Sequence, residues 1–246
     1  MPAPGARINI TPDGQAVDSA FLGFTISPHE ECAVEAAVQL VEVHGGEVTV
    51  LTLGPAEAEE QLRTAVSVGA AKAVLLVNDG PDWDPQRTAR GIATAVTQLE
   101  STSGRYDLIL FGNESADSCS YQVGIRVAFA LGRPIVNGAK ALEVESDSAT
   151  IRREADTGQE QYTLPLPACF GIREGINLPR YPTMKGRLAS KKVAIERSEV
   201  SAQPGGQRMV LLQRPAEKAS STKILGTGPE AAPAVVDLLD ELGVLS

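Results

Sequence analysis

Up to about residue 137 the chain alternates helical and strand patterns, and few architectures accept such an order. A helix is expected near 29–43, with Ala33, Ala36, Ala37, Leu40 and Val41 at helical spacing. The strand Glu47–Leu53 follows, closed by Gly54-Pro55, and then a helix over about 55–68, where Glu59 and Arg63 can pair one turn apart. Next come a strand at Ala73–Val77, a helix near 85–99, a strand at Leu108–Phe111 and a helix near 121–131. Strands separated by helices build a parallel, doubly wound sheet with helices on both faces. One piece is missing from the pattern. Right-handed βαβ winding asks for a central strand ahead of the helix at 29–43, and only the short stretches Arg7–Ile10 and Ala20–Ile26 are available.

Beyond residue 139 the character changes. Ala141–Val144, Thr150–Arg153 and Gln161–Leu164 alternate as exposed strands do, with the turn Asp156-Thr-Gly158 between the last two. The apolar Ala168–Ile172 reads as one more strand of the same domain. Gly, Pro and cations break the pattern over 174–192, which suggests a long exposed loop. Residues 200–222 are polar and rich in Pro and Gly, an extended arm with little core of its own. The chain closes with a strand at Lys223–Leu225, a turn and a short amphipathic helix carrying Val235, Leu238, Leu239 and Leu242 on one face. The expected division is an α/β domain over 1–199 and a C-terminal arm and helix over 200–246.

The stretch Asp107–Gly124 carries the strongest functional signal. A short apolar run ends abruptly in Gly112, a polar loop follows, and a helix restarts near Tyr121. A strand end opening into a loop and a helix N-terminus supplies free N–H groups and a dipole that favour a phosphate or nucleotide. The bland reading is a capped helix start with Asp117 or Ser118 as N-cap. Nothing there is a nucleophile backed by a base, and no partner is visible for Asp117 or Glu114 as acid or base. The stretch points to binding rather than catalysis. Ser27-Pro-His-Glu30 is likewise a helix start, and Ser27 with Glu30 has the form of a capping box.

Composition removes other classes. A formal charge of −9 opposes non-specific nucleic-acid binding, which needs a broad basic face. No apolar run approaches the roughly 20 residues that span a bilayer. The first residues lack a charged region followed by an apolar one, so a cytoplasmic protein is expected. Cys32, Cys119 and Cys169 lie far apart and read as reduced, buried thiols. With only His29 and His44 present, His29-Glu-Glu-Cys32 lacks the second histidine of a zincin helix, and no metal site is expected. Gly226-Thr-Gly-Pro-Glu-Ala231 matches a dinucleotide fingerprint, but no second strand or ribose-binding acid follows, so it reads as a turn and helix start. Lys185, Arg187, Lys191 and Lys192 suit a solvated loop or an acidic partner.

Five stretches, taken together and in order, resemble the β subunit of electron-transfer flavoproteins. They are Ser27–Ala37; Leu53-Gly-Pro with Leu62–Ala70; Phe111–Asp117 with Gln122-Val-Gly124; Leu164–Ala168 with Ile176–Gly186; and Ala189-Ser-Lys-Lys192. The resemblance implies an adenine-nucleotide α-hydrolase-like fold and a heterodimer with an α subunit that holds most of the FAD contacts. The pair would carry electrons from flavin-dependent dehydrogenases to a quinone oxidoreductase or another acceptor. It implies no catalytic residue in this chain and an AMP of structural role. By position, the AMP contacts would be Ser27, Pro28, His29, Glu30, Leu53, Gly112, Asn113, Glu114, Ser115, Asp117, Ser120, Tyr121, Gln122 and Val123. The recognition loop falls on about 172–194, with Met184 as its apolar anchor and Tyr181, Lys185 and Arg187 beside it. Three departures are visible: the family's usual N-terminal strand and the Lys/Arg-rich turn after it are absent, Ser27 stands where the family has Asn, and Ser118-Cys-Ser-Tyr121 replaces an Asp-rich loop containing Asn. The rival from another class is a stand-alone adenine-nucleotide-binding regulator whose arm folds back on its own domain.

Overall fold

The structure, a computed structural model, describes residues 1–78, 80–216 and 222–245. Helices and strands alternate as expected: α1 (Pro28–His44), β1 (Thr49–Gly54), α2 (Glu59–Ser67), β2 (Lys72–Val77), α3 (Pro85–Ser103), β3 (Leu108–Gly112) and α4 (Val123–Ala130). Then come β4 (Ile135–Val144), β5 (Ser148–Ala155), β6 (Gly158–Pro165), β7 (Ala168–Ile172), α5 (Met184–Ser190), β8 (Ile195–Glu199) and α6 (Ala232–Glu241). Asp84 starts α3, its carboxylate accepting from the Gln86 and Arg87 amides, with Pro85 at the first helical position.

The strands do not form the single sheet expected. They form two: a parallel three-stranded sheet in the order β1-β2-β8, and a five-stranded sheet in the order β3-β7-β4-β5-β6. In the second, β3 and β4 flank β7 in parallel, while β5 and β6 continue as the antiparallel extension foreseen. The missing central strand accounts for the division, because Arg7–Ile10 and Ala20–Ile26 make only isolated bridges, Pro2 to Phe24 and Ile10 to Val17. Helices still cover both faces. On one, α1 contributes Cys32 and Ala33 to the core around Ile151, Phe170 and Ile172, and Val38 to the core of β2. On the other, Ala95 of α3 packs on Val74 and Leu76, and its Ala89 and Ala93 pack with Val127 of α4. The two helices therefore hold the two sheets together.

Four further expectations are corrected. The stretch 174–192 is not a plain loop: its second half forms α5, which Thr183 caps by accepting the Gly186 N–H at 3.0 Å. Lys223–Leu225 forms no strand, its apolar residues being too few to pair without a neighbour. Cys119 is exposed at a positive φ of 52°, whereas Cys32 and Cys169 are buried. The N-cap of α4 is Gln122, not Asp117 or Ser118, because the loop turns back on itself before the helix begins. Part of the polar arm, 217–221, lies outside the described residues.

Candidate functional site

Three segments meet at the carboxyl ends of β3 and β7: the start of α1, the loop after β3 and the loop after β7. His29, buried, joins them. Its Nδ1 accepts the Glu174 N–H at 2.9 Å, so in the neutral ring Nε2 carries the proton and donates to Glu114 Oε1 at 3.2 Å. The Asn113 N–H donates to Ile172 O at 2.8 Å and ties the two strand ends.

Glu30 packs directly on Gly112, where a β-carbon would collide with its carboxyl group. That approach explains the glycine, which ends β3 at an ordinary negative φ. Burial pushes the Glu30 carboxyl up to about 7, against its own backbone amide and the Met1 ammonium, which pull it down; Asp117 adds to the rise. The expected capping box does not form. Ser27 Oγ hydrogen-bonds the Glu30 carboxylate instead, and no side chain caps α1.

The loop after β3 is internally closed. The Ser115 N–H donates to Ser120 O at 3.1 Å, the Cys119 N–H to Ser115 O at 2.7 Å, and Ser115 Oγ to Asp117 Oδ1 at 2.6 Å. Gln122 receives Arg126 Nε and Nη2 at 3.2 and 3.0 Å, and Tyr121 is exposed. Ser120 Oγ is buried with no hydrogen-bond partner. Loop and α1 start form the mouth of a cavity of about 1330 Å³, whose walls include Glu30, Leu53, Gly112, Asn113, Ser120 and Val123. Most of the sequence-predicted nucleotide residues are thus brought to one place. Asp117 is engaged within the loop, Gln122 is held by Arg126 of α4, and Pro28 lies in the first turn of α1.

A sugar or base edge suits this mouth, since the orphaned Ser120 hydroxyl asks for a polar partner. A phosphate suits the rim near the α4 N-terminus better than the inner wall, where Glu30 and Glu114 repel it. Among the described residues no group of three or more His, Cys, Asp or Glu is placed to hold a metal ion. No described helix is long and apolar enough to cross a membrane.

The residues expected to form a recognition loop lie apart from this mouth. Leu178, Tyr181 and Met184 are 88%, 92% and 74% exposed, and Lys185 and Arg187 are exposed beside them. Sequence reasoning missed what positions them. The strap 174–180 follows α1 residue for residue: Glu174 on His29, Asn177 on the Cys32 carbonyl at 3.0 Å, and Arg180 on Glu35 and Glu42 at 2.6–3.2 Å. His29, Cys32 and Glu35 recur every three residues on one helix face, a signal present in the sequence but shared by many core positions. α5 then rests on α2 through Gly186, where a β-carbon would meet Ser67 O.

The electron transfer flavoprotein domain matches residues 19–203. An electron transfer flavoprotein subunit beta from Syntrophomonas wolfei is 35% identical over 214 residues, covering 86% of this chain and 82% of the relative. The subunit beta of Bacillus subtilis is 32% identical, covering 87% and 85%, and that of Mycobacterium leprae 34%, covering 89% and 85%. The chain belongs to the electron-transfer flavoprotein β-subunit family.

Proposed function

We propose that this chain is the β half of a heterodimeric electron carrier, paired with an α subunit that holds most of an FAD. The observation that carries the reading is α6. It buries none of its residues on the described chain, yet presents Val235, Val236, Leu238 and Leu242, with Val244 and Leu245 beyond, to solvent. An apolar helix beyond the 19–203 domain needs cover, and a second subunit supplies it. The division into a domain over 1–199 and a docking arm over 200–246 belongs to this proposal.

Within the pair, the bound flavin supplies one-electron chemistry, and this chain supplies shape and contacts. AMP sits structurally at the mouth described above, with Ser120, Asn113 and the loop amides as its hydrogen-bonding partners. Met184, on a capped helix and flanked by Lys185 and Arg187, offers a flexible apolar anchor and a basic rim to acidic dehydrogenases. A quinone oxidoreductase or another acceptor takes the electrons onward, and the pair works in the cytoplasm.

One observation favours the rival regulator. The first half of the arm lies on its own domain, Arg87 Nε and Arg90 Nη1 donating to the carbonyls of Ala202 and Gln203 at 3.1 Å, and the Leu212 N–H to Gly14 O at 2.9 Å. Co-expression with the α subunit distinguishes the two. A yellow complex that loses dehydrogenase-driven turnover on Met184→Ala, with its flavin content unchanged, supports the carrier. A colourless chain, self-paired and releasing ADP or ATP on denaturation, supports the regulator.

A further inference from the structure

Three residues of α1 carry the strap 174–180, and one of them also touches a third segment. Cys32 and Glu35 reach nothing beyond α1 and the strap, whereas His29 bonds both Glu174, where the strap starts, and Glu114 in the loop after β3. These two partners make opposite demands on the ring. The Glu174 N–H is a donor, and among the described residues nothing else accepts from it, so Nδ1 must be bare. The Glu114 carboxylate accepts, so Nε2 must carry the proton. A neutral imidazole has one proton for its two nitrogens. Each contact therefore holds the ring in the form that the other requires. Were Glu114 to withdraw, the proton could pass to Nδ1, where it meets the Glu174 N–H donor to donor and the strap loses its first tie. The ring is buried, so a lost partner is costly to replace with water.

We propose that His29 is a positioning residue that couples the mouth to the strap through the place of its single proton. The inference rests on reading the mouth as a nucleotide site and the strap as part of a recognition surface. Glu114 is a wall of that mouth. Its Oε1 takes the His29 proton, and its Oε2 has no hydrogen bond among the described residues. A ligand hydroxyl, such as a ribose supplies, donates to Oε2, pins the carboxylate and keeps Oε1 on Nε2–H. Nδ1 then stays an acceptor, and Glu174 stays on α1. Lys140 Nζ holds the Glu174 carbonyl at 2.7 Å in either case, so the ring acts on the amide side alone. Leu178, exposed four residues further on, inherits the order of the strap's first half. The two tautomers are the two discrete states that such a coupling needs. A partner seated on the strap must in return tighten the ligand, because coupling between sites is reciprocal.

Two substitutions separate the contacts. His29→Asn sets a carboxamide oxygen near the place of Nδ1 and keeps the strap tie without reaching Glu114. His29→Gln reaches Glu114 with its amide and leaves the Glu174 N–H bare. The full chain is followed at about pH 8.5, above the range in which an imidazole is charged. Nitrogen NMR reads the two rings, which His44→Gln assigns, and hydrogen exchange reads the Glu174 amide. The parent ring is expected bare at Nδ1. Glu114→Ala should put protons on Nδ1 and speed exchange at Glu174 about fivefold or more, whereas the same change in His29→Asn leaves exchange as it was. His29→Gln should speed exchange by itself, and His29→Asn should not. A purely space-filling histidine would show no such split. A parent ring protonated at Nδ1, equal exchange in the two His29 variants, or exchange indifferent to Glu114→Ala overturns the proposal. AMP is then added to the parent, with binding measured by equilibrium dialysis. Bound AMP slows exchange at Glu174; bound AMP that leaves it unchanged overturns the coupling. Failure of AMP to bind overturns the nucleotide reading instead, and the Glu114→Ala comparison, made without ligand, still decides the link through His29.

Discussion

At the scale of single residues, Glu30 sets the chemistry of the mouth. Its carboxyl is raised from 4.5 to about 7 by burial, so the folded chain holds a proton that the unfolded chain has released between those values. Stability attributable to this group is therefore greatest below about 4.5 and declines as pH rises through about 7. Glu30→Gln keeps the acceptor for Ser27 and removes the charge. It is expected to be more stable than the parent by about 2–3 kcal/mol at pH 8.5 and nearly equal at pH 4.5, read by denaturant unfolding at both values. Gly112→Ala drives a methyl into the same carboxyl and should cost about 1–3 kcal/mol; pairing it with Glu30→Ala should recover most of that loss in a double-mutant cycle. The sequence displayed both residues but not their relation. Ser27 and Glu30 have capping-box spacing, and only the third dimension reveals that Gly112 draws the carboxyl inward, away from the backbone it would have capped. Asp117 was misread similarly, because a loop that bonds within itself looks, letter by letter, like a helix start.

At the scale of elements, periodicity was legible wherever an element was long. α1, α3, β5 and β6 lie within about four residues of expectation, since each repeats its pattern over eight residues or more, whereas β4 begins at Ile135, six residues ahead of the expected start at Ala141. α5 has seven residues and includes a glycine, and β8 is polar at an edge; neither offers enough repeats to stand out. The strap 174–180 has no periodicity of its own because α1 supplies its order. Its strongest tie is Arg180, whose fork reaches buried Glu35 and exposed Glu42. Burial opposes ionisation of Glu35, yet the Arg180 hydrogen bonds hold its carboxyl below the usual range. Arg180→Ala leaves that buried carboxylate without its cation and should destabilise by about 2 kcal/mol, discounted from a fully buried pair because the guanidinium is partly exposed. Proteolysis should then cut first within 174–183. If cleavage sites and rates stay unchanged, the strap is held by something other than this pair.

At the scale of the whole molecule, the alternating sequence announced α/β architecture and even the absence of a strand, but not its consequence. Periodicity is local; whether two edges meet is decided by what lies between them, and here α1 and α3 span a gap that no described strand fills. The same separation of local from global applies to the arm. Its first half is anchored by Arg87, Arg90 and Asp84, the last accepting the Gly205 N–H at 2.8 Å, whereas α6 buries nothing. These two halves should behave differently when removed. Ending the chain after Thr227 takes away α6 and no buried contact of the domain, so the melting temperature of the lone chain should move by less than about 2 °C, within the change a near-neutral surface alteration produces. Ending it after Glu199 removes the anchored half as well and should lower the melting temperature clearly. Only the partner distinguishes α6 from a dispensable tail: without it, the α subunit should no longer co-purify, and exposed apolar surface, read by dye binding, should fall. Undiminished co-purification after the shorter cut would place the subunit contact elsewhere and leave α6 without the role its bare face implies.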